Sequence, residues 1–253
     1  MPAAQAAISE HRLTLIEVLD WLIEDGMIDA DAGEKLKKDR RYYRGNQHPL
    51  VLVADQKWKS AVPPHKPLGL ETLTEWLAGR VGMGYLHIDP LKIDFAAVTE
   101  VMSSAYATRF HVLPVGVNSK EAVIATAEPY VRDWEKELAK SLKLEIRRVI
   151  ANPQDVERYQ VEFYNLAKSV RSAAKSGATS GTGNFEQLVD LGASNKQYDA
   201  NDAHIVSIVD WLWQYAFEQR ASDIHVEPRR ELGIVRFRID CVLHQVYQIP
   251  ATV

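Results

Sequence analysis

The most constraining stretch of the chain is ASDIHVEPRRELGIVRFRID, residues 221–240. Two alternating runs flank a charged turn and predict a pair of strands, because successive side chains of a strand point to opposite faces. The second strand carries Arg236 and Arg238 on one face, with Phe237 between them on the other. The predicted apolar face comprises Ile224, Val226, Val235, Phe237, Ile239 and Cys241. The two runs therefore predict a half-buried sheet with a charged outer face.

Two interpretations account for a strand with two arginines on one face. In the first, Arg236 or Arg238 forms a salt bridge with Asp223, Glu227 or Asp240, and such cross-strand pairs contribute ~0.2–1 kcal/mol each. In the second, the guanidinium groups face a phosphate, whose geometry matches their fixed fork of donors. An arginine supplied by a neighbouring subunit can stabilise charge on a γ-phosphate. Spacing alone favours the first interpretation.

Composition excludes several classes of protein. The 253 residues are 46% hydrophobic and 25% charged, which is enough for two globular domains, and the net charge of −4 argues against a general polyanion binder. The basic run from Arg40 to Arg44 is interpreted as a solvated helix end, so no nucleic acid is expected as a partner. A single cysteine, Cys241, rules out a disulfide within the chain and fits a reducing compartment. No apolar run has the length of a membrane span and no signal peptide is recognisable, so a cytoplasmic protein without direct membrane insertion is expected.

The order of predicted elements indicates an α+β fold in several parts. Residues 1–67 are predicted to form a helical hairpin and a proline-containing linker, residues 68–174 an α+β domain, residues 175–200 a Gly/Ser-rich linker, and residues 201–253 the start of another α+β domain. The first helix should bury Leu15, Val18, Leu19, Leu22 and Ile23, and the helix after residue 202 should bury Ile205, Ile208, Val209, Leu212 and Ala216. A hairpin is predicted at Asn118–Ser119, and a helix from Asn152–Pro153 to about Ala174. In residues 41–67 an irregular path is expected, with LVLVA docking on a domain and Trp58 as an anchor.

Neither a nucleotide-binding loop nor a metal site is predicted. The stretch KSGATSGTGNF, residues 175–185, is rich in glycine, but the Walker A pattern needs a second glycine five positions after the first, followed by lysine. The fifth position after Gly177 is Thr182, and no lysine follows Gly181 or Gly183. The chain as given is therefore not expected to hydrolyse ATP alone. The eight histidines are scattered without the spacing of metal ligands, so no metal ion or cofactor is expected in this part of the protein.

Three stretches of the sequence resemble the ATPases of type II secretion and type IV pilus assembly. ASDIHVEP followed by VRFRIDCVL, with the preceding helix, is similar to the start of the second N-terminal domain of those motors. YLHIDPLKIDFAAV and RFHVLPVGVNSKEAVIATAEP are similar to the first N-terminal domain. In the family pattern a glycine follows the aspartate of RID, whereas this chain has Cys241, so the local turn is expected to differ.

The resemblance carries several expectations. It implies that the chain is the N-terminal regulatory and docking region of a homohexameric motor at the inner membrane, peripheral there through a partner. That partner would be the cytoplasmic domain of an inner-membrane platform protein. It also implies that a RecA-like domain holding ATP and Mg²⁺ follows Val253, and that the truncated domain is PAS-like. Arg236 and Arg238, above all Arg236, would contact nucleotide phosphate, while His225 would hold the strand pair by hydrogen bonds.

Two alternatives remain open at this point. Some family members bind cyclic-di-GMP through copies of R-L-G-x-x-L-V-x-x-G-x-I, and EVLDWLIEDGMI, residues 17–28, fits that spacing at Leu22, Ile23, Gly26 and Ile28. Glu17 replaces the arginine, however, and an acid in that place reverses the electrostatics. The first alternative is a cyclic-di-GMP sensor that gates a motor, and the second is a stand-alone adaptor without a motor domain. The sequence does not distinguish a secretion machine from a pilus machine.

Overall fold

A computed structural model of the chain describes residues 10–43, 45–180, 200–230 and 232–250. The described residues confirm the predicted α+β class, with one four-stranded sheet and one three-stranded sheet. They form two compact units. The first unit comprises residues 1–88 and 96–161, and the second comprises residues 89–95 and 162–253. The domain boundaries given above stay predictions.

The first unit begins with four helices. These are α1 Leu15–Glu24, α2 Ala30–Lys38, α3 Pro49–Ala54 and α4 Leu70–Val81, with a 3₁₀ turn at Arg40–Tyr43. Thr14 caps α1 in a capping box, and Gly26, with a φ of 65°, follows the end of the helix. The buried face of α1 consists of Leu15, Val18, Leu19 and Leu22, whereas the predicted fifth member, Ile23, is only partly buried.

The segment expected to be irregular contains a helix. Pro49 occupies the first turn of α3, where its missing N–H costs nothing, and the Leu50 N–H donates to Nδ1 of His48, 3.2 Å away. Leu50 to Val53 are buried, so the LVLVA stretch docks in the core as predicted. Trp58 packs against the same core and anchors the end of the segment. The prediction of an irregular path was therefore wrong for residues 49–54.

A mixed sheet follows the helices. Its strands are β1 Gly84–Tyr85, β2 Val112–Val117, β3 Glu121–Thr126 and β4 Glu145–Ile150, in the order β1-β4-β3-β2, and its helices are α5 Phe95–Val101, α6 Ser104–Phe110, α7 Asp133–Leu142 and α8 Pro153–Ser180. β2 and β3 form the predicted hairpin, in which the Asn118 side chain accepts hydrogen bonds from the backbone N–H groups of Lys120 and Glu121. β4 pairs in parallel with both β1 and β3. α5 and α6 are separate helices, because Ser103 caps the start of α6.

Helix α8 extends further than predicted. It begins at Pro153, with the Asn152 side chain accepting from the Gln154 N–H, as the cap signal indicated. It continues to Ser180, six residues beyond the predicted end near Ala174, so the first residues of the predicted 175–200 linker are helical. The rest of that linker, residues 181–199, lies outside the described residues.

One hydrophobic core joins the helices of the first unit to its sheet. Leu19, Leu50 and Leu77 of three different helices are fully buried and share a cluster with Ile150 at the end of β4. Leu13, which precedes α1, belongs to the same cluster. The amino-terminal helices therefore bury their apolar faces mainly against one another, and Ile150, more than seventy positions later in the chain, joins them to the sheet.

The second unit contains one helix and three strands in its carboxy-terminal part. These are α9 Ala200–Glu218, β5 Asp223–Pro228, β6 Leu232–Ile239 and β7 Val242–Pro250, with all pairs antiparallel in the order β5-β6-β7. The prediction of a helix and only two strands was incomplete, since β7 pairs with β6. Asp240 and Cys241 form the two-residue turn, with φ values of 49° and 66°. Cys241 is therefore exposed in a turn rather than buried on the apolar face.

Aromatic rings fill the core of the second unit. Phe95 stacks on Tyr247 with ring centroids 4.1 Å apart, and Tyr215 contacts both Trp211 and Phe237. Three predicted core residues differ from the structure: Ile205 and Val209 of α9 and Val226 of β5 are exposed. The buried face of α9 consists instead of Ile208, Leu212, Tyr215 and Ala216.

Candidate functional site

The predicted arginine pair lies on the polar face of the β5-β6-β7 sheet. Arg236 Nη1 donates to Glu227 Oε1 at 2.9 Å, and Arg238 Nε donates to Asp223 Oδ2 at 3.0 Å. The register sets these partners, because Arg238 lies directly opposite Asp223 and Arg236 lies opposite His225, two positions from Glu227. Both arginines therefore pair with carboxylates of β5, as the first interpretation of the sequence predicted.

These ion pairs leave the guanidinium groups accessible. The side chains of Arg236 and Arg238 are 30% and 37% exposed, and their partner carboxylates are at least as exposed. Exposed pairs of this kind contribute about 0–1 kcal/mol, because water screens both charges. His225 Nε2 lies 3.4 Å from Arg238 Nη2, which fits its predicted role in holding the two strands together. Contact of either arginine with a nucleotide stays a prediction.

A second set of polar groups surrounds a cavity of about 130 Å³ in the first unit. Its lining includes Arg12, His48, His111, Glu128 and Glu157. His48 accepts from the Leu50 N–H through Nδ1 and lies 3.2 Å from the Ala127 carbonyl through Nε2, which together fit one neutral tautomer.

Burial shifts the pKa of two groups in this cavity. It lowers the pKa of His48 to about 4 and raises the pKa of Glu128 to about 7, because a poorly solvated site disfavours the charged form of either side chain. His48 Nε2 lies 3.8 Å from Glu128 Oε1. The cavity thus contains an acid and a base that both favour their neutral forms.

Comparison with known proteins identifies the family. Residues 81–170 match the MshEN domain, and residues 198–253 match the type II/IV secretion system protein family. The type IV pilus assembly ATPase TfpB of Acinetobacter baylyi is 42% identical over 238 residues, which are 92% of this chain and 40% of that protein. The chain belongs to the family of type II secretion and type IV pilus assembly ATPases. It corresponds to an N-terminal region of this family, which confirms the resemblance seen in the sequence.

Other proteins match this chain over shorter stretches. The type II secretion system protein E of Xanthomonas campestris is 30% identical over 155 residues, which are 59% of this chain and 26% of that protein. A structure of MshE with cdg matches 60% of this chain and all of the solved chain, with 16% identity and a TM-score of 0.42. The N-terminal domain of XpsE matches 61% of this chain and 99% of the solved chain, with 14% identity and a TM-score of 0.32. The matched region is less than half the length of the Acinetobacter ATPase TfpB and of the Xanthomonas type II secretion system protein E.

The segment of this ATPase region that fits the cyclic-di-GMP motif uses its acidic residue to cap a helix. Glu17 Oε2 accepts from the Thr14 N–H at 2.9 Å, and Thr14 Oγ1 accepts from the Glu17 N–H at 3.2 Å. His11 Nε2 lies 2.8 Å from Glu17 Oε1. Burial raises the pKa of Glu17, but the hydrogen bonds from Thr14 and His11 outweigh it and lower the pKa below its ordinary value. The position that carries a cation in the motif is therefore an ionised, hydrogen-bonded carboxylate here.

Two surface features of the described residues were missed in the sequence. Glu71, His87 and Asp155 come together although they are far apart in the chain, so no spacing indicated the cluster. An exposed apolar stripe on α9 is formed by Val206, Val209, Trp213 and Phe217. Its spacing of about one helical turn could have revealed it, but the sequence does not distinguish it from the buried face.

In the basic run, Arg41 pairs with Asp39 at 2.6 Å, while Arg44 lies outside the described residues.

No helix in the described part of the chain combines the length and the apolarity that a membrane crossing requires.

Proposed function

We propose that this chain is the N-terminal regulatory and docking region of a hexameric ATPase that drives pilus assembly or protein secretion at the inner membrane. The observation that carries the proposal is the 42% identity to a type IV pilus assembly ATPase, which extends over 92% of the chain. In the whole protein, a RecA-like domain binds ATP and Mg²⁺ and performs the hydrolysis.

The two units have different roles in this proposal. The first unit docks on the cytoplasmic domain of an inner-membrane platform protein, and the second unit belongs to the ring. The apolar stripe on α9 supports a role in assembly, because its most exposed member, Phe217, is 76% exposed. Contiguous exposed apolar residues often mark protein–protein contacts.

Arg236 and Arg238 contribute to the nucleotide site of the ring. Each guanidinium group has five N–H donors, and the carboxylates of Glu227 and Asp223 use only part of them. The carboxylates hold the guanidinium groups on the polar face, and a triphosphate oxygen forms charge-assisted hydrogen bonds with the remaining donors. Arg236 is the principal contact, and its pairing with Glu227 orients it before nucleotide arrives.

The arginine role is tested in the full-length ATPase. Arg236→Ala should lower ATP turnover by at least about tenfold, less than the roughly 10³- to 10⁵-fold contribution of an arginine finger, while circular dichroism and the melting temperature change little. Arg229→Ala is the matched control, because Arg229 also pairs with Glu227 but lies beyond the end of β5. Unchanged turnover in Arg236→Ala, or an equal loss in the control, would contradict this role.

Docking is tested separately with the 253-residue chain. The cytoplasmic domain of the platform protein should bind the wild-type chain in a titration monitored by fluorescence anisotropy. Failure to bind would contradict the docking role and would leave the arginine role to its own test.

A further inference from the structure

Three side chains with metal-binding chemistry meet at the surface of the first unit. Glu71 comes from the first turn of α4, His87 from the segment that follows β1, and Asp155 from the first turn of α8. One ligand atom from each lies within 4.8 Å of those of the other two. In a tetrahedral zinc site, with bonds of about 2.0–2.2 Å, neighbouring ligand atoms lie roughly 3.4 Å apart. The observed separations of up to 4.8 Å thus lie within about 1.4 Å of that spacing.

The central ligand of the cluster is already oriented by its surroundings. Tyr85 Oη donates to Glu71 Oε1 at 2.6 Å, and Asn152 Nδ2 donates to Glu71 Oε2 at 3.1 Å. Neither donor is a candidate ligand, so both act as the outer hydrogen bonds that orient metal-binding carboxylates in proteins. These two hydrogen bonds hold the carboxylate of Glu71 in place.

The cluster is also open to solvent. The side chain of His87 is 66% exposed, and its Nδ1 lies 2.5 Å from Glu71 Oε1. An ion can reach the site from water and take the place of this histidine–carboxylate hydrogen bond. An imidazole nitrogen beside two carboxylates suits zinc, whereas magnesium and calcium prefer oxygen ligands alone.

We propose that Glu71, His87 and Asp155 bind one Zn²⁺ ion, with water in the remaining position. The ion links α4, the segment after β1 and the start of α8, which are brought together at the surface only by the fold. Zinc binding thus tightens the packing of the start of α8 within the first unit. The proposal is independent of the ATPase function.

The test is calorimetric titration of the untagged 253-residue chain with ZnCl₂. Wild type should bind one ion, and both His87→Gln and Asp155→Asn should lower the affinity at least tenfold. Glu145→Gln removes an exposed carboxylate outside the cluster and should leave the affinity unchanged. Tyr85→Phe, which keeps the ring and removes one outer hydrogen bond, should lower the affinity about tenfold.

Thermal denaturation provides a second readout that does not depend on heat of binding. Saturating Zn²⁺ should raise the melting temperature of wild type, because a ligand that binds the folded state stabilises it. The same addition should have no such effect on His87→Gln, whose exposed side chain can be replaced without disturbing the core. Absence of 1:1 binding to wild type, or equal affinity in His87→Gln, would overturn the proposal.

Discussion

The backbone N–H of Leu13 donates a hydrogen bond of 2.8 Å to Oε2 of Glu128, which lies 115 positions later in the chain. Glu128 is only 8% exposed, and its other oxygen lies near His48 in the polar cavity. The segment that precedes α1 is thus held by a buried carboxylate whose protonation changes near neutral pH.

The two buried groups of the cavity should give opposite dependences of stability on pH. Glu128 has a pKa of about 7 in the folded state against an ordinary value of 4.5, so its contribution to stability is present below about pH 4.5 and is lost as the pH rises through 7. His48 has a folded pKa of about 4 against 6.5, so its contribution is present above about pH 6.5 and is lost as the pH falls through 4. Between pH 4.5 and 6.5 the falling contribution of Glu128 and the rising contribution of His48 cancel, so the two groups together leave the free energy of unfolding unchanged.

Replacing either group should reveal how the other makes the free energy of unfolding depend on pH. In Glu128→Gln, the free energy of unfolding should decrease by about 3 kcal/mol, relative to wild type, as the pH falls from 6.5 to 4, since each pKa unit corresponds to about 1.4 kcal/mol. In His48→Asn, which keeps a cap acceptor for α3, it should decrease by about the same amount as the pH rises from 4.5 to 7. Urea unfolding at a series of pH values measures both. Parallel pH profiles of the two variants would contradict the opposing assignment.

Cys241→Gly should stabilise the second unit by about 1 kcal/mol. The cysteine has a φ of 66° in the β6–β7 turn, where a β-carbon is strained and glycine is not. Two-residue hairpin turns of this kind favour Asp-Gly, and Asp240 already supplies the first residue. Cys241→Ala is the control, because it removes the thiol and keeps the strain. A melting temperature that rises equally in both variants would show that the thiol, not the backbone, is responsible.

Leu50→Ala should destabilise the protein by about 2–5 kcal/mol, because it leaves a cavity where a fully buried side chain packs in the core of the first unit. Val62→Ala is the matched control in the same segment, since Val62 is largely exposed, and it should change the stability by less than about 0.5 kcal/mol. Denaturant unfolding measures both values. Equal effects would mean that α3 does not contribute its apolar face to the core.

Cyclic-di-GMP should produce no heat of binding when titrated into the chain. The motif position that needs a cation is Glu17, whose carboxylate is held by Thr14 and His11 at the start of α1. A phosphate brought to this place meets a negative charge. Isothermal calorimetry at low ionic strength, where electrostatic attraction is least screened, is the most sensitive check. Saturable heat would restore the sensor hypothesis.

Local patterns predicted those elements whose signals lie close together in the sequence. The face of α1, the turn at Asn118 and the pairing of the two arginines all depend on neighbours within one element or one hairpin. Strand β7 was missed because its recognition depends on a turn at Cys241, and cysteine is not a usual residue at positive φ. The face of α9 was partly wrong because several apolar stripes fit one helix, and only the packing of Tyr215 on Phe237 selects among them.

The cluster of Glu71, His87 and Asp155 shows the limit of such patterns. The parallel pairing of β1 with β4 brings residues 84 and 85 beside residues 149 and 150, and this pairing places His87 close to the start of α8. No spacing in the sequence encodes a contact created by a parallel pair so far apart in the chain. The exposed ion pairs of Arg236 and Arg238, in contrast, follow directly from antiparallel register.

The shared core of the first unit has a consequence for biosynthesis. Helices α1 to α4 bury their apolar faces together with Ile150, the last residue of β4. While the ribosome is still adding the intervening residues, those faces can pack against one another, but the side of the core that Ile150 covers stays open. The emerging chain therefore exposes part of its apolar core to water until β4 has left the exit tunnel. During that interval a nascent-chain chaperone has the most apolar surface to protect.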